Sequence, residues 1–262
     1  MAAYDIFLNN YHSNSIANIM IRNNGRLLKF LLCKYFKDNN KKINVLEVGP
    51  GKGYFKDAIL LNNKSCNRKL VYFAADRNEN ILANLKIEKR YTRVAALPDI
   101  TFETKFDIIM VGYVLEHLAS GMELYKALEN LKSLLSENGI LVLLFPDSMK
   151  LGMEFYNIDY THIFPTTKRN VNQAILDNNM VVDLSVDLSG ILYTKKVDSR
   201  IGYKIKRILF FFYNYNIASA LGKIIYRVPV WDINSIFWRA YGLLKEPNVL
   251  FVVKCNKHNK TK

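Results

Sequence analysis

An open, mostly parallel α/β sheet of seven strands with helices on both faces is the fold the sequence predicts, and three observations predict it. Short apolar runs recur at Ile43–Val48, Leu70–Ala75, Thr92–Ala95, Phe106–Gly112, Gly139–Phe145, Met180–Val186 and Asn248–Cys255. Stretches with helical spacing separate the first several of them, and that alternation calls for parallel strands joined by crossover helices. The fifth run is apolar almost throughout, as a strand buried on both faces should be.

The elements follow in order. Residues 1–42 place Ile16, Ile19 and Met20, then Leu27, Leu28, Leu31 and Leu32 at helical spacing, so one or two helices are expected to cap the domain. Ile43–Val48 runs into Gly49-Pro50-Gly51-Lys52-Gly53, a strand ending in a tight turn. A helix is expected to about Leu61, and a second strand over Leu70–Ala75 precedes a helix through Leu85. Thr92–Ala95 is a weak third strand and Phe106–Gly112 a strong fourth, followed by an amphipathic helix over Met122–Leu135. Beyond the fifth strand an irregular loop runs from Pro146 to about Pro165, and a helix spans roughly Thr167–Asn178. The expected organisation is a helical cap over 1–42, a core over 43–188 plus 247–256, and a helical insertion over 189–246, read as a lid or an acceptor-binding addition.

The bulk composition bounds the function. With 262 residues, 50% hydrophobic and 13% aromatic, the chain can bury a full core. Its net charge of +14 favours anionic partners, although scattered lysines equally fit a merely lysine-rich composition. Cys33, Cys66 and Cys255 are isolated, which argues against a disulfide framework or a structural zinc; Cys33 and Cys255 are expected in the core. No signal peptide is visible at Met1, and the longest apolar runs, Ile140–Phe145 and Ile208–Tyr213, are too short to span a bilayer. A cytoplasmic protein is expected; its oligomeric state is left open.

The most informative segment is Val45-Leu46-Glu47-Val48-Gly49-Pro50-Gly51-Lys52-Gly53-Tyr54-Phe55. Closely spaced glycines let a ligand approach the backbone, and the following helix start offers free N–H groups. The spacing is GxGxG rather than the GxGxxG of dinucleotide-binding turns. Glu47 ends an otherwise apolar strand, where an unpaired carboxylate is costly. Asp76, directly after the second strand, is placed to accept hydrogen bonds from two ribose hydroxyls. At these residues the chain resembles the class I S-adenosylmethionine methyltransferases, whose core is Rossmann-like. Val45–Phe55 is similar to their first motif, Asp76 to their ribose-binding acid, and Phe106–Leu118, with its Leu115-Glu116-His117-Leu118, to their fourth strand and its continuation. The resemblance covers roughly residues 43–186 and the final strand. It implies S-adenosylmethionine as cofactor, held by Glu47, Gly49, Pro50, Gly51, Gly53, Tyr54, Asp76, Arg77, Ala96, Leu97, Gly112, Tyr113 and His117. One departure concerns adenine: Val94-Ala95-Ala96-Leu97-Pro98-Asp99 lacks the acid usual after the third strand, which leaves backbone groups near Ala96–Leu97, or Asp99.

The acceptor is read from the segments beyond the fourth strand. Gly112-Tyr113-Val114-Leu115 is not the (D/N)PP(Y/F) turn of enzymes that methylate exocyclic base amines, and no cysteine lies where pyrimidine C5 chemistry needs one. O- or N-methylation of a small molecule remains, with C-methylation open. His117 follows the fourth strand, where it can act as a general base or simply touch the cofactor. Asn157–Pro165 resembles a "DxxH…F(T/S)" segment of methyltransferases in bacterial polysaccharide and antibiotic-sugar pathways. There Asp159 and His162 can form a base with its orienting carboxylate, or His162 can be structural. Glu116, Asp147, Asp159 and the two histidines match no specific metal-ligand spacing, and no metal is expected. Lys195–Lys245 carries ten Lys or Arg against Asp198 and Asp232, together with Trp231 and Trp238, a composition suited to an anionic acceptor, to an anionic membrane face, or to a buried lid. The leading expectation is O-methylation of a bacterial cell-surface (capsule or lipopolysaccharide) carbohydrate, its activated precursor, or a phosphate- or phosphoramidate-type substituent on it. The alternatives are an RNA methyltransferase, disfavoured by the lack of a nucleobase motif or RNA-binding module, and a non-catalytic membrane-peripheral binding protein.

Overall fold

The computed structural model describes residues 14–38, 42–65, 69–188 and 247–256. One sheet of seven strands organises them: β1 (Ile43–Val48), β2 (Leu70–Asp76), β3 (Thr92–Val94), β4 (Phe106–Gly112), β5 (Leu135–Pro146), β6 (Met180–Leu188) and β7 (Asn248–Cys255), in the spatial order β3-β2-β1-β4-β5-β7-β6. β1 pairs in parallel with both β2 and β4, β2 with β3, and β4 with β5. The order reverses direction between β1 and β4. Loops at the carboxyl ends of these two strands therefore diverge and leave a crevice.

Strand alternation divides the core. Leu46, Val48, Phe73, Ala75, Ile109, Val111, Leu141 and Leu143 pack into one cluster with α4 (Gly121–Leu134) and α7 (Lys168–Asp177). Residues of opposite parity, Val45, Ala74, Ile108 and Val142, are equally buried and face the other way. Neither α1 (Asn14–Tyr35) nor α2 (Tyr54–Ser65) contributes to that cluster; they pack on one another through buried faces that include Leu28, Leu31 and Ile59. Helices thus cover both faces, as the β–α alternation requires. A short α3 (Glu79–Asn84) follows β2, its start capped by the Asn78 side chain. Among the described residues, no helix is long and apolar enough to cross a membrane.

The structure departs from the sequence reading in three places. β5 begins at Leu135, directly after α4, and not at Gly139. Leu135 pairs with Phe106 and Ile140 with Ile108, so residues 136–139 bulge out of the ladder. The buried Asp107 holds this excursion by accepting from the Ser136 hydroxyl at 3.0 Å and from the Asn44 N–H at 3.0 Å. Next, the segment expected to be irregular after Pro146 contains two short helices, α5 (Ser148–Leu151), capped by Asp147, and α6 (Glu154–Ile158). Finally, Cys33 is exposed on the solvent side of α1, whereas Cys255, at the end of β7, is partly buried and packs against the core cluster. Cys66 and the insertion 189–246, with its basic stretch Lys195–Lys245, lie outside the described residues.

Candidate active site

The glycine-rich turn begins where β1 ends. The Gly49 N–H donates to Ala75 O at 2.9 Å, which ties the turn to the end of β2. Gly49 has φ +71°, and a Cβ there would sit 2.5 Å from Val114 Cγ2, so the turn nests against the exit of β4. Gly51 has φ +51°, and a Cβ on it would meet nothing within 4 Å. This backbone faces open space and lets a ligand approach closely. The Gly53 N–H closes the turn on Pro50 O, and Tyr54 starts α2.

Two acids flank the turn. Glu47 is buried, and the Tyr72 hydroxyl donates to its Oε2 at 2.5 Å. Burial pushes its carboxyl up to about 8, against the lowering effect of that hydrogen bond. Asp76 stands at the carboxyl end of β2, beside the exposed Arg77. Its Oδ1 accepts from the Asn78 N–H at 2.8 Å, and Oδ2 has no hydrogen bond among the described residues. Burial raises its pKa, with the Asn78 N–H opposing. At the third strand the Asp99 N–H turns back onto Ala96 O at 2.8 Å, with Ala96 exposed and Leu97 buried. Past Gly112, Tyr113 takes φ +57°, a strained conformation for a side-chain-bearing residue, and its N–H donates to Leu144 O. An open glycine edge, a carboxylate oxygen left for a ribose and a strained turn across the crevice fit S-adenosylmethionine.

On the other side of the crevice lies a second group. Glu116 and His117 sit on a short 3-10 turn, Leu115–His117, after β4. His162 is 45 residues farther along, yet its ring centroid is 5.2 Å from that of His117. Main-chain bonds make the junction: the N–H groups of Ile163 and Phe164 both donate to Glu116 O at 3.0 Å. The histidines are oriented alike. His117 Nδ1 lies 3.1 Å from Thr161 O and 3.0 Å from Thr161 Oγ1, and His162 Nδ1 lies 2.6 Å from Phe155 O. A carbonyl only accepts, so each Nδ1 carries a proton and donates it there, which turns each Nε2 away from the main chain. Burial holds the His117 imidazole below its ordinary pKa, so it is neutral near pH 7.

Asp159 acts one bond away from the place the sequence suggests. It does not orient His162 directly; the Phe155 carbonyl does. Its Oδ1 accepts from the Thr161 hydroxyl at 2.7 Å and the Thr161 N–H at 2.8 Å. Burial alone would raise its pKa, but these two bonds hold the carboxyl below its ordinary value. Asp159 therefore fixes Thr161, and Thr161 fixes the His117 tautomer.

Glu116 is 1% exposed, and its Oε2 has no hydrogen-bond partner among the described residues. Burial pushes its carboxyl up to about 8. The expectation of no metal rested on spacing along the chain. In space, Glu116, His117 and His162 each offer a ligand atom within 4.8 Å of the others. Thr161 is the group in this cluster that the sequence reading passed over; Glu116 was weighed there only as one of several acids with no matching metal-ligand spacing. The Asp159-Tyr160-Thr161 spacing, apt for a side-chain turn, was the only local signal. Lys168 and Arg169 lie in the first turn of α7, outside this group.

A family model described as "Methyltransferase domain" matches residues 17–183. Among solved structures, the chain is similar to an S-adenosylmethionine-dependent methyltransferase from Clostridium acetobutylicum (10% identity, TM-score 0.58, covering 96% of this chain and 98% of that one). It is also similar to a complex between the Haloferax volcanii Trm112 methyltransferase activator and a candidate methyltransferase (12%, TM-score 0.60, 98% of each chain). A third is a candidate sarcosine dimethylglycine methyltransferase from Galdieria sulphuraria (13%, TM-score 0.53, 90% and 86%). At such identities the likeness concerns the fold. No curated protein sequence matches the chain.

Proposed function

The chain belongs to the methyltransferase-domain family, and we propose that this class I S-adenosylmethionine-dependent enzyme methylates a hydroxyl oxygen of a bacterial surface carbohydrate or of its activated precursor. One observation carries the reading: two imidazoles, each with its Nδ1 bonded to a main-chain carbonyl, lie with ring centroids 5.2 Å apart beyond the carboxyl end of β4. A sugar hydroxyl is a weak acid and must shed its proton as the new C–O bond forms, so such a pair suits it. The Asn157–Pro165 segment, similar to that of polysaccharide- and sugar-pathway methyltransferases, supplies one of the two histidines.

The cofactor supplies a methyl group on a positively charged sulfur. The chain's own residues do the rest. In this reading Gly49, Pro50, Gly51, Gly53 and Tyr54 admit the amino-acid portion of the cofactor, with the Glu47 carboxylate behind them. Asp76 holds the ribose, with Arg77 beside it. Ala96 and Leu97 bound the adenine, and Gly112 and Tyr113 close the crevice between cofactor and acceptor. His117 and His162 act on the acceptor proton, and Asp159 secures His117 through Thr161. The basic composition of residues 195–245, ten Lys or Arg against two acids, supports an anionic acceptor or an anionic membrane face. The test is transfer of labelled methyl to nucleotide sugars and capsule or lipopolysaccharide fragments. Cofactor binding without turnover of any such acceptor would refute the carbohydrate assignment.

A further inference from the structure

We propose that Glu116, His117 and His162 form a binding site for one divalent first-row transition cation, of the Mn²⁺-to-Zn²⁺ series, at the acceptor side of the crevice. The inference rests on the reading that this group activates the acceptor, and it replaces direct proton removal by the two imidazoles with activation by an ion that they hold. A carboxylate oxygen and two imidazole nitrogens are the donor set, and their ligand atoms lie within 4.8 Å of one another. Metal–ligand bonds of about 2.0–2.2 Å place neighbouring donors about 3 Å apart and opposite donors about 4.2 Å apart. Small rotamer adjustments close the group around an ion.

Two observations independent of that spacing point to a ligand. The first is Glu116 Oε2, an oxygen buried in a residue 1% exposed and left without a hydrogen bond among the described residues. A native fold rarely buries such an atom unpartnered, and a cation is the partner it suits. The second is the outer layer of the site. Ligating histidines commonly donate the second ring N–H to a carbonyl or carboxylate, which fixes the tautomer and strengthens the other nitrogen as a donor. Both histidines do so here: His162 Nδ1 on Phe155 O, and His117 Nδ1 on Thr161, itself held by Asp159. The Glu116 carbonyl, by accepting from Ile163 and Phe164, keeps the loop that carries His162 against the turn that carries the other two ligands.

The donor chemistry selects the ion class. Mg²⁺ and Ca²⁺ prefer oxygen donors, and one carboxylate is a poor match for them. Two imidazoles with one carboxylate suit Mn²⁺, Fe²⁺, Co²⁺ or Zn²⁺, with open positions left for water or an acceptor hydroxyl. A hydroxyl bound there would be more acidic: as its oxygen bonds to the methyl carbon of the cofactor, the carbon–sulfur bond breaks, S-adenosylhomocysteine leaves, and the hydroxyl proton passes to solvent water.

The test separates this inference from the carbohydrate assignment. The full-length chain, stripped with chelator and desalted, is titrated with Mn²⁺ while free ion is read by electron paramagnetic resonance; Zn²⁺ is then added as competitor. The expected result is saturation at one ion per chain, displaced by Zn²⁺. Glu116→Gln and His162→Ala should each weaken binding at least about 100-fold, and Asp159→Asn roughly 10- to 100-fold, the range for an orienting partner. Circular dichroism verifies that the variants fold. A wild-type chain that does not deplete free Mn²⁺, or a folded His162→Ala that binds as tightly as wild type, overturns the site. Methyl transfer is scored separately: carbohydrate turnover unaffected by chelator sinks the cation while sparing the acceptor, and stoichiometric binding without carbohydrate turnover does the reverse.

Discussion

His117 and His162 meet because the two N–H groups after His162 close on the carbonyl of Glu116 and Thr161 holds His117 Nδ1. Nothing in their sequence spacing announces that contact, which is why the two segments read as separate candidates, with the orienting role given to Asp159 alone. The cofactor side was more legible. Glycines two apart and an acid at a strand end act through local backbone geometry, and local geometry is what a sequence reports. Two sets of outcomes follow for single residues. For a sugar hydroxyl, His117→Ala and His162→Ala should each lower turnover roughly 10²–10⁴-fold with cofactor affinity nearly kept; steady-state kinetics beside calorimetry measures both. If the acceptor oxygen is already anionic, both should stay active and Lys168→Ala or Arg169→Ala should carry the loss. On the cofactor side, Asp76→Ala should reduce affinity roughly tenfold to a hundredfold, since hydrogen bonds to a charged group contribute about 1.5–3 kcal/mol. Gly51→Val should abolish binding, because its φ of +51° strains any side chain and the space it would enter is open. Calorimetry showing normal affinity in both variants would remove this turn from the cofactor site.

Among the elements, β1, β4 and β7 match their sequence ranges residue for residue, because each is an apolar run with sharp polar or glycine limits. The start of β5 does not. Ser136, Glu137 and Asn138 break the apolar pattern, and only the fold reveals that they bulge from a ladder already begun at Leu135. The two helices after Pro146 were hidden because each is little more than one turn, too short for periodicity to register. Gly139 is the hinge point of the bulge. A Cβ there would lie 2.7 Å from Phe106 O and 3.1 Å from Ser136 N, both backbone atoms with little room to retreat. Gly139→Ala should therefore destabilise by about 1–3 kcal/mol, the usual cost of overpacking. Thr167→Ala, which removes the capping box of α7, should cost about 1 kcal/mol. Denaturant midpoints at constant slope measure both; an unchanged midpoint for Gly139→Ala would mean the bulge relaxes freely.

For the whole molecule, the buried Glu47 links stability to pH. Its folded pKa of about 8 stands above the ordinary 4.5, so the native chain keeps a proton that the unfolded chain releases. The stability this group contributes is fully present below about pH 4.5 and is lost as pH rises through about 8. Inside that window the slope reaches about 1.4 kcal/mol per pH unit for the one proton. Glu47→Gln keeps an acceptor for the Tyr72 hydroxyl and should remove this share of the slope. Unfolding free energies measured at intervals from pH 5 to pH 8 would show it, and identical slopes in the two proteins would reject the linkage.

The reversal of strand order between β1 and β4 also divides the chain as text. On the proposed reading, the glycine turn, the ribose acid and the adenine boundary fall within residues 47–97, and the groups acting on the acceptor proton fall within 116–162, with Gly112 and Tyr113 between them. One stretch is read out entirely before the other begins. A single genetic crossover in the connection between β3 and β4 would replace the acceptor-side groups while inheriting the glycine turn and the ribose acid intact. A family built this way can diversify its substrates by exchanging halves, without first rebuilding the part they all share.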